Sequence, residues 1–267
     1  MKQRLDLRLV EIGVVDSRNR AQALIMAGKV EVNGHVETKS GRMLGPDDRV
    51  SVLEGLPYVS RGGVKLAHAL EVFAIHPSGW QVVDIGASTG GFTDCWLQRG
   101  AARVYAVDVG YGQLDWKLRQ DDRVVVLERT NARYLTLDVL GRDHTLDGAS
   151  IDASFIGLKL LLEPLRSLVS TGATIVALVK PQFEAGPDKL GRGGVVRRPE
   201  VHVDVLERVL GQARSLDYTV KGLTASPIRG PEGNIEFLTH LIAGPGLEEP
   251  LKVAPIVERA WQEAGHG

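Results

Sequence analysis

Hydrophobic and polar positions alternate in short blocks along most of the chain. From Gln81 onward, apolar runs of strand length are separated by amphipathic stretches of helical length. This pattern predicts strands at residues 81–85, 103–108, 123–127, 148–152, 174–179, 217–224 and 235–242. Short β-branched runs joined through helices predict an α/β domain with a mostly parallel sheet covered by helices on both faces.

The first 59 residues follow a different pattern. Leu5, Leu9 and Ile12 form a short apolar stripe at helical spacing. A second predicted helix carries Ala21, Leu24 and Ile25, with Asp16-Ser17 as its cap and Gly28 at its end. Asn33-Gly34 is a strong turn signal between Val30, Val32 and Val36, and residues 49–53 form a further predicted strand. We expect a small α+β domain over residues 1–53, a linker over residues 54–60 that contains Pro57, and a larger domain over residues 61–267.

Composition narrows the class of protein only a little. A chain of 267 residues with 43% hydrophobic content can bury a large core and a small satellite core. The formal net charge is −1, so a nucleic-acid partner would need a local basic surface. The single cysteine, Cys95, excludes a disulfide framework and a multi-cysteine zinc site. No run resembles a signal peptide or a membrane span, and we expect a cytoplasmic protein with no membrane partner.

A loop of small residues follows the first predicted strand of the larger domain. Gly86, Ala87, Ser88, Gly90 and Gly91 lead from that strand into a helix that begins near Phe92. Glycines allow sharp turns and a close approach to a ligand, and free N–H groups point out of the start of a helix. The spacing is not Gly-x-Gly-x-x-Gly, and the chain has no Gly-Lys-Ser/Thr, so dinucleotide and P-loop sites are disfavoured.

Two acidic residues suggest which ligand this loop holds. Asp84 precedes the glycines and Asp108 ends the next strand, where a carboxylate can accept hydrogen bonds from both ribose hydroxyls. The arrangement suits S-adenosylmethionine, with Asp84 near its methionine end; the residues predicted to bind it are Asp84, Gly86, Ala87, Ser88, Gly90, Gly91, Phe92, Asp108 and Asn131. Asn131 follows the third strand and is either an adenine contact or an ordinary turn residue.

Four charged residues interrupt apolar or glycine-rich surroundings. They are Lys65, Asp152, Lys180 and Glu236, called the tetrad below. Lone charges at such positions are usually rim residues or halves of structural ion pairs. Asp152 and Lys180, like Asp84 and Asp108, end predicted strands, and in open α/β sheets that edge carries the ligand site.

Lysines alternating with carboxylates suit methylation of a ribose 2′-hydroxyl. This weak nucleophile must lose its proton as it attacks, and a partly buried lysine can accept or stabilise that proton. We assign this role to Lys180, expect Asp152 and Glu236 to orient Lys180 and the hydroxyl, and expect Lys65 to hold the attacking oxygen in line. No metal is required.

The residues of this chain do not suit two other kinds of methyl transfer. Attack on carbon 5 of a pyrimidine needs a cysteine nucleophile, and Cys95 follows the glycine loop on a helix, where we expect it to pack in the core. Methylation of an exocyclic amine commonly uses Asn/Asp-Pro-Pro-Tyr/Phe, and Asp152-Ala153-Ser154-Phe155 occupies that place here.

Basic residues in two regions are candidates for RNA binding. Arg18, Arg20 and Lys29 lie on or just after the second helix, and charge alone does not separate RNA binding from a solvated face. We also assign Arg61 to RNA binding. The stretch 184–198 contains four glycines among Lys189, Arg192, Arg197 and Arg198, and it either closes over RNA or is disordered until RNA arrives, with RNA contact favoured.

Five motifs carry a resemblance to known families. The run Ser17-Arg18-Asn19-Arg20-Ala21-Gln22-Ala23-Leu24-Ile25-Met26-Ala27-Gly28-Lys29-Val30-Glu31-Val32-Asn33-Gly34, followed by Lys39, resembles the S4-like RNA-binding domain. With Ser60-Arg61-Gly62-Gly63, Asp84–Asp94, Lys180-Pro181-Gln182-Phe183-Glu184 and Gly233-Asn234-Ile235-Glu236, nearly the whole chain resembles the TlyA family of ribosomal RNA methyltransferases, historically labelled hemolysin A.

The resemblance has consequences for fold and function. It implies a Rossmann-like class I methyltransferase domain of the FtsJ type with a seven-stranded sheet, whose last strand runs antiparallel at or near the edge, preceded by an S4-like domain. It also implies S-adenosylmethionine as cofactor, the tetrad as catalytic residues, and cytidine ribose targets in 16S and 23S rRNA of the 30S and 50S subunits. Where the family usually shows Asp-Val-Ser-Phe-Ile-Ser-Leu, this chain has Ala153 and Gly157, which could alter the pocket wall. The competing functions are a non-catalytic RNA-binding assembly factor and a membrane-lysing toxin.

Overall fold

The computed structural model describes residues 3–15, 17–26, 29–33, 35–45, 48–52, 57–191, 193–230 and 232–265. The chain divides into two compact units, Met1–Pro57 and Tyr58–Gly267. In the described part of the chain, none of the helices is long and apolar enough to cross a membrane.

The first unit combines two helices with short antiparallel strands. Its helices are α1 (Leu5–Glu11) and α2 (Arg18–Met26). Its strands are β1 (Gln3–Arg4), β2 (Val30–Val32), β3 (His35–Val36), β4 (Met43–Leu44) and β5 (Val50–Val52). Strand β1 pairs with β4, and β2 pairs with both β3 and β5. The predicted helices and hairpin are confirmed.

Some predicted details of the first unit differ from the structure, and others lie outside the described residues. The predicted apolar stripe does not extend to Ile12: α1 ends at Glu11, and the Ile12 side chain is exposed. Ser17 does cap α2, since its Oγ accepts a hydrogen bond from the Arg20 N–H at 3.4 Å. Several predicted features fall outside the described residues, namely Asp16, Gly28, Gly34, Leu53 and the first three residues of the linker, 54–56.

The second unit alternates strands and helices, as predicted. Its strands are β6 (Gln81–Ile85), β7 (Arg103–Val107), β8 (Val124–Leu127), β9 (Leu146–Ile151), β10 (Val169–Val179), β11 (Tyr218–Ala225) and β12 (Phe237–Ala243). Its helices are α3 (Gly62–Val72), α4 (Gly91–Gln98), α5 (Trp116–Arg119), α6 (Lys159–Leu168), α7 (Pro181–Glu184), α8 (Pro199–Ser215) and α9 (Val253–Gly265). Short 3-10 turns occupy Ala132–Tyr134 and Pro187–Lys189.

The strands of the second unit form one sheet in the order β11-β12-β10-β9-β6-β7-β8. Strands β8, β7, β6, β9 and β10 run parallel to one another, and β12 is antiparallel to both β10 and β11. The antiparallel last strand is therefore next to the edge, as expected. Because β6 has the following strand β7 on one side and the later strand β9 on the other, the order of the sheet reverses between β6 and β9. A ligand site is expected at the carboxyl ends of these two strands.

Side chains of each strand alternate between two apolar layers. Val82, Val104 and Val176 pack in one buried cluster with residues of α3 and α4. Val83 and Ala149, on the opposite face, pack in a second cluster with residues of α6, α8 and α9. Burial on both faces explains why these strands appear in the sequence as continuous apolar runs.

Candidate active site

The glycine loop between β6 and α4 turns sharply under the end of β9. Gly86 has φ +82°, and a Cβ atom there would lie 2.6 Å from the Asp152 carbonyl oxygen. Gly86 and Ala87 donate their N–H groups to the Val107 carbonyl oxygen, which fixes the loop to the end of β7. Only glycine fits at position 86, because both the backbone angle and the close approach exclude a side chain.

Two adjoining cavities open at this edge of the sheet. One, the tetrad cavity, has a volume of about 380 Å³ and is lined by Arg61, Lys65, Asp152, Lys180 and Arg229 among others. The other, the Asp108 cavity, has a volume of about 440 Å³ and is lined by Val109, Asn131, Phe155 and Asp108 itself. Gly86, Ser88, Asp152 and Ser154 belong to both cavities, so one elongated ligand can extend from one into the other.

Asp108 is held in place by backbone donors. Its Oδ2 accepts a hydrogen bond from the Ser88 N–H at 2.8 Å, and its Oδ1 accepts one from the Gly110 N–H at 2.6 Å. A carboxylate offers about four lone-pair positions, so two remain for a ligand that carries hydroxyl groups. The residues of this cavity fit a nucleoside. The Asp108 carboxylate can accept hydrogen bonds from the two hydroxyl groups of a ribose, and apolar and amide side chains lie beside it.

Asn131 is a turn residue that also lines a cavity, so a ligand contact stays a prediction. Its Oδ1 accepts a hydrogen bond from the Arg133 N–H at 3.0 Å, which caps the short turn Ala132–Tyr134. The same side chain lines the Asp108 cavity.

The remaining residues predicted to bind a cofactor divide into two groups. Ala87, Gly91 and Phe92 line the tetrad cavity. Gly90 lines neither cavity; a Cβ atom there would clash with Leu118 Cδ1, so this glycine allows the loop to pack on α5.

Asp84 differs from its predicted role as a ligand contact. The side chain is fully buried, lines neither cavity, and accepts hydrogen bonds from Thr93 Oγ1 at 2.7 Å and Ser150 Oγ at 2.8 Å. Burial raises the pKa of this carboxyl group to about 6, although the two hydrogen bonds oppose the shift. Asp84 therefore joins α4 to β9 and stabilises the glycine loop without lining either cavity.

The tetrad consists of two ion pairs from four different parts of the chain. Lys65 of α3 places its Nζ 2.5 Å from Glu236 Oε2, and both side chains are buried. Lys180, which follows β10, places its Nζ 2.7 Å from Asp152 Oδ1 at the end of β9. This second contact is an ion pair without hydrogen-bond alignment; Lys180 Nζ donates instead to Ser154 Oγ at 2.9 Å. The expectation that Glu236 orients Lys180 is wrong, because Glu236 pairs with Lys65.

Local structure explains how the two lysine–carboxylate pairs are held. Pro181 begins α7 directly after Lys180, which keeps Lys180 extended and ends β10 there. Gly230 permits close packing on Glu236, since a Cβ atom at position 230 would lie 2.6 Å from Glu236 Oε1. Gln182 Nε2 donates to the same Oε1 at 3.2 Å.

Three polar residues of the site, Ser154, Gln182 and Arg229, were not predicted from the sequence. Ser154 and Gln182 lie inside motifs that already held tetrad members, so their neighbourhood was a usable signal. Arg229 lies in Ser226-Pro227-Ile228-Arg229-Gly230, which has no pattern typical of a site.

The predicted RNA-binding residues are distributed over both units. In the first unit, Arg18 Nε donates to the buried Asp6 carboxylate at 3.0 Å, and Arg20 and Lys29 are exposed. Arg61 is exposed and lines the tetrad cavity of the second unit.

The glycine-rich stretch 184–198 is attached to the loop before β12. Asn234 is buried; its Oδ1 accepts a hydrogen bond from the Val196 N–H at 3.0 Å, and its Nδ2 donates to the Gly194 carbonyl oxygen at 3.2 Å. Most of this stretch is described and hydrogen-bonded, and Arg192 lies outside the described residues.

Cys95 is a core residue, as expected. It is fully buried on α4, and burial raises the pKa of its thiol to about 12. A thiol held protonated in this way is a poor nucleophile.

Comparison with known proteins adds two family matches. Residues 58–242 match the FtsJ-like methyltransferase family and residues 3–50 match the S4 domain.

Curated relatives cover most of the chain. YqxC of Bacillus subtilis, provisionally named an rRNA methyltransferase, is 51% identical over 90% of this chain and 85% of its own length. The 16S/23S rRNA (cytidine-2'-O)-methyltransferase TlyA of Mycobacterium tuberculosis is 44% identical over 93% of this chain and 95% of its own. Hemolysin A of Brachyspira hyodysenteriae is 38% identical over 90% and 99%.

Solved structures agree with these matches. A Streptococcus thermophilus protein, provisionally described as a hemolysin, superposes with a TM-score of 0.78 at 44% identity, covering 99% of this chain and 98% of its own. An S-adenosylmethionine dependent methyltransferase of Mesorhizobium loti reaches 0.50 at 14% identity, covering 66% of this chain and 96% of its own, and shows the shared fold alone.

Proposed function

The chain belongs to the TlyA family of FtsJ-like methyltransferases with an S4 domain, and from this membership and the site we propose that it methylates cytidine ribose 2′-hydroxyls in ribosomal RNA. The family resemblance seen in the motifs and the class I methyltransferase fold are confirmed. The observation that carries the proposed reaction is the pair of lysine–carboxylate contacts, Lys65–Glu236 and Lys180–Asp152, of which the second lies at the carboxyl ends of β9 and β10.

The cofactor that fits the two joined cavities is S-adenosylmethionine, which supplies an electrophilic methyl group when bound. Asp108 would accept hydrogen bonds from its ribose hydroxyls, and Asn131 with the apolar wall of the Asp108 cavity would face its adenine. The loop at Gly86 and Ser88, shared by both cavities, would face its methionine part. In support, the lining combines a carboxylate, an amide and backbone turns that leave no room for side chains.

Lys180 is the residue that we assign to the proton of the attacking hydroxyl. Its Nζ lies at the cavity surface between Asp152 and Ser154, at 2.7 and 2.9 Å, so two oxygens restrict where the amine points. Lys180 first gives one proton to Asp152 or to water, then takes the hydroxyl proton as the ribose oxygen attacks, and so returns to the ammonium form that pairs with Asp152.

Lys65 lines the tetrad cavity, and its buried partner Glu236 does not. Their contact at 2.5 Å is buried and is supported by Gln182, so its geometry is well defined. We assign Lys65 to the ribose oxygen, which it keeps in line with the methyl group, and Glu236 to the orientation of Lys65. Alignment of reacting atoms can contribute on the order of 7 kcal/mol or more in direct displacements.

The substrate is proposed to be rRNA within ribosomal subunits. The S4 domain matched at residues 3–50 supports an RNA partner, and the TlyA relative of Mycobacterium tuberculosis is named for both 16S and 23S rRNA. We therefore propose 30S and 50S subunits as substrates, and Arg18, Arg20, Lys29 and Arg61 as RNA-binding residues.

The test is the transfer of labelled methyl from S-adenosylmethionine to unmodified 30S and 50S subunits. After nuclease digestion, separation of the nucleosides shows whether the label is on ribose or base. Label on the 2′-oxygen of cytidine is expected. Label on a base would overturn the proposed chemistry, and S-adenosylmethionine binding without transfer to either subunit would favour a non-catalytic assembly factor.

A further inference from the structure

Arg229 lies at the boundary between two cavities. It follows β11 in the loop that leads to β12, and it lines the tetrad cavity together with Ile228. It also lines a neighbouring cavity of about 610 Å³, called the side cavity here, with Arg197, Ile235 and Trp261. A chain that passes from one cavity into the other would therefore run past the Arg229 side chain.

The loop that carries Arg229 is held on both sides of this residue. Ser226 donates its N–H to the Glu236 carbonyl oxygen at 2.8 Å, and Ser226 Oγ donates to the Ile228 carbonyl oxygen at 2.6 Å. On the other side, the Gly230 N–H donates to the Asn234 carbonyl oxygen at 3.0 Å. The backbone at Arg229 is thus fixed next to Glu236 of the tetrad.

The chemistry of the substrate requires a phosphate near this point. The 2′-oxygen of a ribose is on the carbon next to the one whose oxygen carries the 3′ phosphodiester. A ribose placed for attack in the tetrad cavity therefore brings that phosphodiester close to the tetrad, whose two lysines and two carboxylates are paired with one another and carry no formal net charge. A cation in the cavity wall would stabilise the phosphate, and Arg229 is a basic residue of that wall.

We propose that Arg229 is a further substrate-binding residue, whose guanidinium group holds the phosphodiester 3′ to the methylated ribose at the boundary between the tetrad cavity and the side cavity. The inference rests on the proposed function. A guanidinium group suits this role because its planar N–H groups can donate two hydrogen bonds to one phosphate. The next nucleotide of the RNA would then enter the side cavity, beside Ile235 and Trp261.

The test compares the full-length protein with its Arg229→Gln variant on unmodified 30S and 50S subunits. Loss of one charge-assisted phosphate contact is expected to raise KM about tenfold, while kcat and the affinity for S-adenosylmethionine stay near wild type. The slope of log binding constant against log salt concentration should fall by about 0.7, the value for one phosphate of a single strand. Arg229→Lys should restore the slope but only part of the KM, because lysine keeps the charge and loses the paired donors.

The matched control is Arg103→Gln. It removes the same charge from the amino end of β7, whereas the site lies at the carboxyl ends of the parallel strands. It should leave KM and the salt slope unchanged. An Arg229→Gln variant with wild-type KM and slope would overturn the inference, as would a fall in kcat alone, which would indicate a structural role beside Glu236. If the wild-type protein itself places no methyl group on ribose, the proposed function fails, and the salt slope still tests the phosphate contact separately.

Discussion

At the scale of single residues, the charged groups of the site differ in what surrounds them. Lys180 and Asp152 face the tetrad cavity, whereas Asp84, which ends the neighbouring strand β6, is fully buried against Thr93 and Ser150. Ser150 Oγ also accepts a hydrogen bond from Trp96 Nε1 at 2.8 Å, so a buried polar network connects β6, β9 and α4. Lys180 and Asp152 are therefore placed for chemistry, whereas Asp84 and its hydrogen-bond partners stabilise the glycine loop.

The raised pKa of Asp84 makes a prediction about stability and pH. Burial raises this pKa from 3.8 to about 6, so the protonated form is favoured in the folded state. The resulting stabilisation is complete below about pH 4 and is lost as the pH rises through 6, by about 3 kcal/mol for a shift of about two units. Asp84→Asn cannot ionise, so its free energy of unfolding should lack this loss.

The measurement is urea unfolding at pH 4 and pH 7.5 for wild type, Asp84→Asn and the control Asp138→Asn, whose carboxyl group is exposed. The difference between Asp84→Asn and wild type should move in favour of the variant by about 3 kcal/mol between the two pH values. The control should follow wild type. Equal pH dependence in all three proteins would contradict the assignment.

At the scale of elements, the sequence predicted the strands and most of the site. Apolar runs placed all the strands of the sheet, and the motifs placed Asp108, Asp152 and Lys180 at one edge, because parallel strands end together. Sequence could not separate Asp84 from Asp108, since both end a strand beside the loop and only packing decides which side chain is buried. Nor could it pair Glu236 with Lys65, because that contact depends on where α3 lies against the loop before β12.

Alanine substitutions at Gly86 and Gly112 should separate the effect of backbone strain from that of a side chain packed against the Asp152 carbonyl oxygen. Gly86 and Gly112 have similar angles, φ +82° and +72°, but a Cβ atom at Gly112 would meet nothing within 4 Å. Gly112→Ala should therefore cost only the left-handed strain, about 1 kcal/mol. Gly86→Ala should cost more and should weaken S-adenosylmethionine binding, because the side chain would push on the Asp152 backbone.

Calorimetric titration with S-adenosylmethionine and thermal unfolding of both variants provide the measurement. Gly112→Ala should bind the cofactor as wild type does, and Gly86→Ala should bind at least tenfold more weakly. Equal affinities of the two variants would show that the approach of position 86 to the Asp152 carbonyl oxygen does not shape the site.

At the scale of the whole molecule, two units have separate cores and separate proposed tasks. The first unit has its own apolar cluster, which includes Leu5, Leu9 and Ile25, and a buried Asp6 that accepts hydrogen bonds from Arg4, Arg18 and Gln22. Hydrogen bonds from the Arg4 guanidinium, the largest of several causes, hold the pKa of Asp6 well below its ordinary range. The residues that line both site cavities come from the second unit.

Removal of residues 1–57 should therefore separate RNA binding from cofactor binding. The shortened chain keeps all residues that line the tetrad and Asp108 cavities, so its affinity for S-adenosylmethionine should stay within about twofold of the full chain. Binding to ribosomal subunits, measured by filter retention at fixed salt, should weaken by a factor of ten or more because the S4 contacts are lost. Unchanged subunit binding would refute an RNA-binding role for the first unit.

The central claim is that the tetrad moves the proton of a ribose 2′-hydroxyl through Lys180, and single-turnover methyl transfer by Lys180→Met tests it most directly. Methionine keeps an unbranched side chain but has no amine, and Lys159→Met, at an exposed lysine of α6, is the control. The transfer rate to ribosomal subunits should fall at least about 100-fold in Lys180→Met, with S-adenosylmethionine affinity unchanged and the control near wild type. A Lys180→Met variant that binds the cofactor and transfers methyl to ribose at close to the wild-type rate would contradict the claim.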